Sequence, residues 1–341
     1  MAREYSGEIL EIYATGRSSI DPLICTTEHP IFAIRAGEVT KKKRKFVWER
    51  TTRTQDAYIE TNRTCLDSLQ PEWIAANNLS IGDYILEPFP TQEEIGELSE
   101  WNNEDFAFLS GLYAAEGCIS YHNKPGYSDP IKSIVYVVGA HELDIIEKVK
   151  IISAKYGHKM IQCKPRGNAV RLELCWANFA RFCRDHIGCH STEKRLSRQI
   201  LRMPKAWQKV FIDSYISGDG HIVKRNDKHA GSINISTASI ELARSISSML
   251  ARQEIVSAVN GRHNTKSNWY NGNPIYIISI GAGQFVGKSK KGKSLILPSG
   301  FIARKIKKIT NKPFNGQVYN LSVAGDNSYI ADNVVVHNCN V

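Results

Sequence analysis

The chain has 341 residues, 42% of them hydrophobic, and a formal net charge of +10 at pH 7. That length suffices for two or more domains with ordinary cores, and the positive balance favours a polyanionic partner, although solubility alone also produces it. No apolar run reaches membrane length and no secretory signal opens the sequence, so a cytoplasmic, intracellular protein with no membrane partner is expected.

The eight cysteines follow no regular framework and are expected as free thiols. Cys183, His186, Cys189 and His190 have a spacing that resembles a metal site, but they lie on an amphipathic segment with Phe179 and Phe182, where packing accounts for them.

In chain order, Glu8-Ile9-Leu10-Glu11-Ile12-Tyr13 alternates as a strand does, Gly16 interrupts it, and Leu23-Ile24-Cys25-Thr26 resumes the pattern. Thr26 and His29 stand three apart beside that strand, a spacing that an ordinary turn with a capped hydroxyl also explains. Lys41-Lys42-Lys43-Arg44-Lys45, followed by Phe46, Trp48, Arg50 and Arg53, reads either as a solvated loop or as a stretch that touches nucleic-acid phosphates.

From Glu104 the pattern turns helical, with Phe106, Leu109, Leu112 and Tyr113 at helix spacing up to Ala114-Ala115-Glu116-Gly117. Further on, Val210, Phe211, Tyr215 and Ile216 run into Ser217-Gly218-Asp219-Gly220. Both helices are small on one face (Ser110, Gly111, Ala114 and Ala115; Ser214, Ser217 and Gly218), and close packing through those residues sets Glu116 beside Asp219. Helix carboxyl ends already carry negative partial charge, and neighbouring carboxylates repel. A hard divalent cation such as Mg2+ relieves both, and metal-bridged carboxylates activate water against phosphodiesters. Either helix end taken alone is also explained by an ordinary glycine cap with a surface acid.

The flanks of the two helices repeat. After the first come strands around 118–122 and 134–138, a helix over 142–156, strands over 159–164 and 169–175, and a helix toward Ile187. After the second come strands near 221–224 and 232–236, a helix over 239–252, and strands near 256–262 and 275–281. Both halves read αββαββ.

At the carboxyl end, Gly316-Gln317-Val318-Tyr319-Asn320-Leu321-Ser322-Val323, a turn through Gly325-Asp326-Asn327-Ser328, and Tyr329 to Val336 read as a β-hairpin that ends at His337-Asn338-Cys339. An asparagine amide can attack its own backbone carbonyl, closing a succinimide and cutting the chain, once the departing amine is protonated. A histidine suits that proton transfer, and the Cys339 thiol can hold an acyl group as a thioester. A frayed tail with incidental polar residues carries the same letters.

Gly316 to Cys339 resembles the C-terminal splicing region of inteins, and Thr26-Thr27-Glu28-His29 matches their second splicing motif. The resemblance implies that Asn338 is the last intein residue, His337 the penultimate histidine and Cys339 the first residue of the downstream flank, with Asn340 and Val341 a stub of the host protein. It implies that Thr26 and His29 polarise the upstream scissile peptide and help an N-to-S acyl shift. Trp73 to Ile85 looks like the family's helix, Gly-Asp turn and strand. The chain departs from the pattern at Asn320, where the family often has aspartate, and at Asn327, where it often has histidine; Asp326 lies close enough to help. Met1-Ala2-Arg3-Glu4 offers no upstream nucleophile, so the expectation is a split intein completed by a complementary N-terminal fragment, with a truncated chain as the other fit.

Leu109 to Gly117 and Ile212 to Gly220 resemble the paired LAGLIDADG motifs of homing endonucleases, the second more loosely, with Asp213 and Ser217 at less usual places. This implies two saddle-shaped sheets over the major groove of double-stranded DNA with a long asymmetric site. It implies Glu116 and Asp219 as catalytic carboxylates and Mg2+ ligands, with Lys224 assisting. Lys132, Lys164, Arg166, Arg171, Lys224, Arg225, Arg262 and Lys266 are then available for phosphate or base contacts. Lys288 to Lys293 and Arg304 to Lys308 read as charged linker.

The expectation is a mostly-β Hint splicing domain from residues 1–98 and 303–341 and an α/β endonuclease domain, residues 99–302, of two pseudo-symmetric αββαββ halves. Its activities are protein splicing between flanking exteins, without a cofactor, and Mg2+-dependent cleavage of double-stranded DNA. A splicing-only element with a decayed, DNA-binding endonuclease and a Hint-type autoprocessing domain are the alternatives.

Overall fold

The computed structural model describes residues 2–17, 20, 22–36, 70–89, 101, 103–122, 130–223, 232–263, 274–281, 294–297, 299–323, 325 and 327–338. The chain forms two compact units, one from 1–89 with 290–341 and the other from 90–289.

The first unit opens with β1 (Ala2–Ala14), β2 (Leu23–Thr26) and β3 (Pro30–Ile34). Alternation drives β1: Leu10, Ile12 and Ala14 are buried in one core with Leu23, Ile31 and Val336. Then come β4 (Glu72–Ala75), a three-residue 3-10 turn over Ala76–Asn78 and β5 (Tyr84–Pro88). The segment from Trp73 was expected to be helical; instead β4 pairs with β3, Phe32 opposite Trp73 and Ile31 opposite Ile74. The reason is burial, because a strand puts Ile74 into the core, where it is 3% exposed, and leaves Trp73 outside. The Gly-Asp turn is present. Gly82 adopts φ +110, and the buried Asp83 carboxylate accepts from the backbone N–H of Ala36 (2.7 Å) and Ser80 (2.9 Å).

The second unit begins with helix α1 (Glu104–Glu116), capped by Asn103, whose side chain accepts from Phe106 N–H at 3.1 Å. It continues with β6 (Gly117–Tyr121), β7 (Ile131–Gly139), α2 (Leu143–Lys155), β8 (Lys159–Gln162), β9 (Ala169–Cys175) and α3 (Ala177–His186). A short helix α4 (Arg198–Leu201) leads to α5 (Lys205–Asp219), β10 (Gly220–Val223), β11 (Ser232–Thr237), α6 (Ile240–Arg252), β12 (Ala258–His263) and β13 (Pro274–Gly281). The two antiparallel sheets have the same order, β6-β7-β9-β8 and β10-β11-β13-β12.

One face of each sheet is core. Ile134, Tyr136, Leu172 and Leu174 are fully buried in the first, and Ile235, Ile278 and Ile280 in the second, with Ala243, Ile246 and Leu250 of α6 also buried. β8 stops two residues before Lys164 because the chain there closes a tight turn through the Arg166–Ala169 bridge.

The chain re-enters the first unit at β14 (Ser294–Leu297), which pairs with β15 (Phe301–Tyr319). That pairing sets the return near residue 290 rather than the expected 303, and the exit after β5 lies at 89 rather than 98. Arg304 to Lys308, expected as linker, is strand β15, and Arg304 is a buried partner of Glu87 (2.7 Å). β15 runs antiparallel along all of β1, from Ala2 opposite Tyr319 to Tyr13 opposite Lys308.

The last strands are β16 (Ser328–Ala331) and β17 (Val334–His337). Their hairpin turns at Asp332 (φ +49) and Asn333 (φ +64), not through 325–328 as the sequence implied. Two consecutive left-handed residues, which Asp and Asn tolerate, make the turn whose twist suits a two-residue hairpin, and Gly316 to Tyr319 is left to extend β15. The described strands of this unit order as β16-β17-β3-β5-β15-β1-β2, with β14 on β15 and β4 on β3. No helix among the described residues is long and apolar enough to cross a membrane.

Candidate functional site

In the second unit the site is built by the crossing of α1 and α5. A Cβ on Gly111 would lie 2.3 Å from the Phe211 backbone oxygen, and one on Gly218 would lie 2.7 Å from Ala115 Cβ and 3.0 Å from Glu116 Cγ. Ser214 Oγ donates to the Phe108 carbonyl at 2.8 Å across the same seam. The small faces read from the sequence are therefore in contact, and Gly218 sets the end of α5 against Glu116.

Both carboxyls feel this. Burial, then the neighbouring Asp219 and Glu142, push Glu116 up to about 7, and burial pushes Asp219 up to about 6; Lys194 opposes both. The helix ends are not left-handed glycine caps. Gly117 (φ −95) and Gly220 (φ −83) take the chain straight from helix into β6 and β10.

Lys194 was missed by sequence reasoning. Its buried ammonium donates to the carbonyls of Tyr113 (2.9 Å), Ala114 (3.0 Å) and Gly117 (3.1 Å), closing the carboxyl end of α1 one residue from Glu116. Its own carbonyl accepts from Ser239 Oγ (2.6 Å), the cap of α6. Nothing in Ser191-Thr192-Glu193-Lys194-Arg195 distinguishes it from a solvated loop.

Two hard carboxylates fit a hard oxygen-seeking cation. Among the described residues no group of three or more His, Cys, Asp or Glu converges, so water and phosphate oxygens would complete such an ion's shell. Cys183, His186, Cys189 and His190, whose spacing resembles a metal site, do not converge as such a group. Cys183 is fully buried, and the His186 ring pairs through Nδ1 with Ser197 Oγ at 2.9 Å.

Among the expected DNA contacts, Lys164, Arg166 and Arg262 are exposed, the last on β12. Lys132 and Arg171 instead share one carboxylate: Glu173 accepts from Lys132 Nζ (2.7 Å), Ser133 Oγ (2.8 Å) and Arg171 (3.3 Å). The second sheet's face away from its core carries Asn234 opposite Ser279, and Ser236 and Asn260 flanking Ile277. Lys224, Arg225 and Lys266 lie outside the described residues, as do Lys41 to Arg53, Asp326, Lys288 to Lys293 and Cys339.

In the first unit, Thr26 ends β2 and His29 precedes β3. Their turn is closed by His29 N–H to the Thr26 carbonyl (3.2 Å) and held by Asn77 and Ala76 N–H donating to the carbonyls of Thr27 (2.8 Å) and His29 (2.9 Å). β17 pairs with β3 at Val336 opposite Ile31, which brings the end of the hairpin to that turn. His29 stands edge-on to Tyr329 with ring centres 6.3 Å apart. Burial first, then the nearby His337, lowers its pKa, against Glu28.

His337 is flanked edge-on by Trp73 at 5.1 Å, and its Nδ1 lies 2.7 Å from the Asn338 carbonyl oxygen. A carbonyl only accepts, so Nδ1 carries the proton. Asn338 donates from its backbone N–H to the Asn327 carbonyl (2.9 Å) and from Nδ2 to Asn327 Oδ1 (3.2 Å). Asn320 accepts from the Tyr329 hydroxyl at 3.4 Å. The structure thus brings Thr26, His29, His337 and Asn338 into one region; the parts played by Trp73 and Lys194 carried no signal in the sequence.

Residues 206–291, from the first turn of α5 to beyond β13, match the family model of the LAGLIDADG-like domain. The first half of the unit repeats the element order of this matched half. The chain is 28% identical over 344 residues to an iron-sulfur cluster assembly SufBD family protein of Mycobacterium bovis, covering 99% of this chain and 38% of that protein. It is 25% identical over 251 residues to the ATP-dependent DNA helicase Hel308 of Thermococcus kodakarensis, covering 69% of this chain and 21% of the helicase. The chain thus spans well under half the length of these curated relatives. A solved structure of I-DmoI in complex with its target DNA in the presence of Mg superposes with a TM-score of 0.41 at 14% identity, covering 56% of this chain and 97% of that one.

Proposed function

We propose that the second unit is a divalent-metal-dependent homing endonuclease that cuts double-stranded DNA. The observation that carries this reading is the crossing of α1 and α5, which sets Glu116 and Asp219 together at two helix ends and holds both carboxyls near neutrality. Glu116 and Asp219 would hold Mg2+, which when bound supplies Lewis acidity at a phosphodiester and a more acidic water. The chain's own part is to hold those oxygens rigidly through the Gly111 and Gly218 contacts and to close the α1 end with Lys194. The polar face of Asn234, Ser236, Asn260, Arg262 and Ser279 would lie on base edges, and Lys164 and Arg166 on phosphates. The test is double-strand cutting of the uninterrupted host-gene junction with Mg2+, expected to fall by about 10²-fold or more in Glu116→Gln and in Asp219→Asn. Unchanged cutting in both variants sinks the assignment.

The first unit is read as the splicing part of an intein. The relatives support this: a segment shared by proteins named for iron-sulfur assembly and for DNA unwinding, and covering only part of each, behaves as an inserted element rather than as a piece of either host's machinery. In this reading Thr26 and His29 polarise the upstream junction, an N-terminal fragment or segment supplies the first nucleophile, and Cys339 accepts the acyl group. Asn338 then cyclises with His337 bonded to its carbonyl oxygen. Intact mass of the full chain checks the last step: release of the residues after Asn338 is expected, and its persistence in Asn338→Ala contradicts the reading.

A further inference from the structure

Resting on the splicing reading, we infer that Asn327 is the residue that orients the attacking amide of Asn338, and that it does so without being able to take its proton. Asn327 has φ +57, a left-handed conformation that asparagine tolerates better than most residues. That turn aims both of its oxygens at one residue. The backbone carbonyl accepts from Asn338 N–H at 2.9 Å and the side-chain Oδ1 accepts from Asn338 Nδ2 at 3.2 Å. The other end of Asn338 is fixed by His337, whose Nδ1–H meets the carbonyl oxygen at 2.7 Å. The nucleophilic nitrogen and the carbonyl that it must attack are therefore both tethered. Among the described residues, the buried Asn338 Oδ1 meets no hydrogen-bond donor, so the contacts that orient the carboxamide there come from its nitrogen side.

The step balances without a co-reactant. Nδ2 bonds to the Asn338 carbonyl carbon and gives up one proton, the bond from that carbon to the Cys339 nitrogen breaks, and the departing amine gains one proton. An imidazole or a carboxylate in place of the Asn327 side chain would receive the Nδ2 proton. A carboxamide oxygen accepts a hydrogen bond but is far too weak a base to remove a proton. Asn327 thus supplies alignment alone, and cyclisation proceeds more slowly than the site's geometry permits.

Asn327→Gly isolates the side chain, because glycine keeps the left-handed backbone and the carbonyl acceptor. In the full chain, followed by intact mass, this variant should release the residues after Asn338 about ten-fold more slowly than the unaltered chain, with an unchanged melting temperature. Asn327→Asp or Asn327→His, which restores a proton acceptor, should release them about ten-fold faster or more. Release by Asn327→Gly at the original rate overturns the inference. Solvent exchange of the Asn338 side-chain amide, read by NMR, is the second measurement: protection is expected in the unaltered chain and lost in Asn327→Gly, and its absence from the unaltered chain overturns the tether itself. Protection present with no release from the unaltered chain, Asn327→Asp or Asn327→His overturns the splicing reading, and the role given to Asn327 with it.

Discussion

A single buried ammonium shows how much of the proposed endonuclease site rests on one side chain. Lys194 serves three carbonyls at the end of α1, so Lys194→Met would leave buried acceptors unpaired next to Glu116. Each hydrogen bond to a charged group contributes about 1.5–3 kcal/mol, and partial repacking around the methionine offsets some of the loss. A net destabilisation of about 2–4 kcal/mol is expected in denaturant melts of the full chain. A loss under about 1 kcal/mol would mean that the three bonds do not act as a cap.

The carboxyl pair makes a pH prediction of definite sign. Folded Glu116 and Asp219 hold their protons to higher pH, about 7 and about 6, than the ordinary carboxyl values of 4.5 and 3.8. Between those limits the folded state binds more protons than the unfolded one, so stability falls as pH rises from about 4 to about 7 and then levels. The metal-free melting temperature should therefore drop over that window, Glu116→Gln should flatten the drop, and Mg2+ should raise the melting temperature at pH 8 far more than at pH 5. A metal-free melting temperature that climbs from pH 5 to pH 7 through these two groups contradicts the environment assigned to them.

At the scale of elements, the decisive contact is between helices. Gly111 has no room for a side chain, since its Cβ position lies 2.3 Å from a backbone oxygen that cannot swing away. Gly111→Ala should part α1 from α5, costing about 1–3 kcal/mol and most of the DNA cleavage. A control at Gly157, whose Cβ position is open, should leave cleavage intact despite its left-handed φ of +72. Equal cleavage by Gly111→Ala and the unaltered chain contradicts close packing as the device that joins the carboxylates.

Most of this level was legible in the sequence. The apolar spacing from Phe106 to Tyr113 and the alternation in β7 and β9 are local, and the repeat in the second half reinforced them. What misled was local as well. Trp73 to Asn78 carries helix-compatible residues, but pairing with β3, about forty positions away in sequence, makes Trp73 to Ala75 a strand and leaves only a 3-10 turn over Ala76 to Asn78. The hairpin turn was placed at Gly325 to Ser328 by glycine and serine, whereas Asp332 and Asn333 do the turning because both accept positive φ. Lys194 was invisible, since a loop lysine is ordinarily solvated and only the tertiary fold brings three carbonyls to it.

For the whole molecule, the two proposed chemistries fall on separate residues in two compact units. The two should be separable. Asn338→Ala should stop release of the tail while leaving DNA cleavage within about two-fold, because the residues proposed for the two chemistries are different ones. Glu116→Gln should do the reverse, and loss of both activities from either substitution would argue for one coupled site. The most direct measurement is cleavage of a DNA duplex spanning the uninterrupted host junction, run with Mg2+, with chelator, and with the Glu116→Gln/Asp219→Asn double variant. The expected result is a double-strand break that appears only with the divalent cation and vanishes in the double variant. A break that survives chelation or survives the double variant would contradict it, as would intact DNA under every condition.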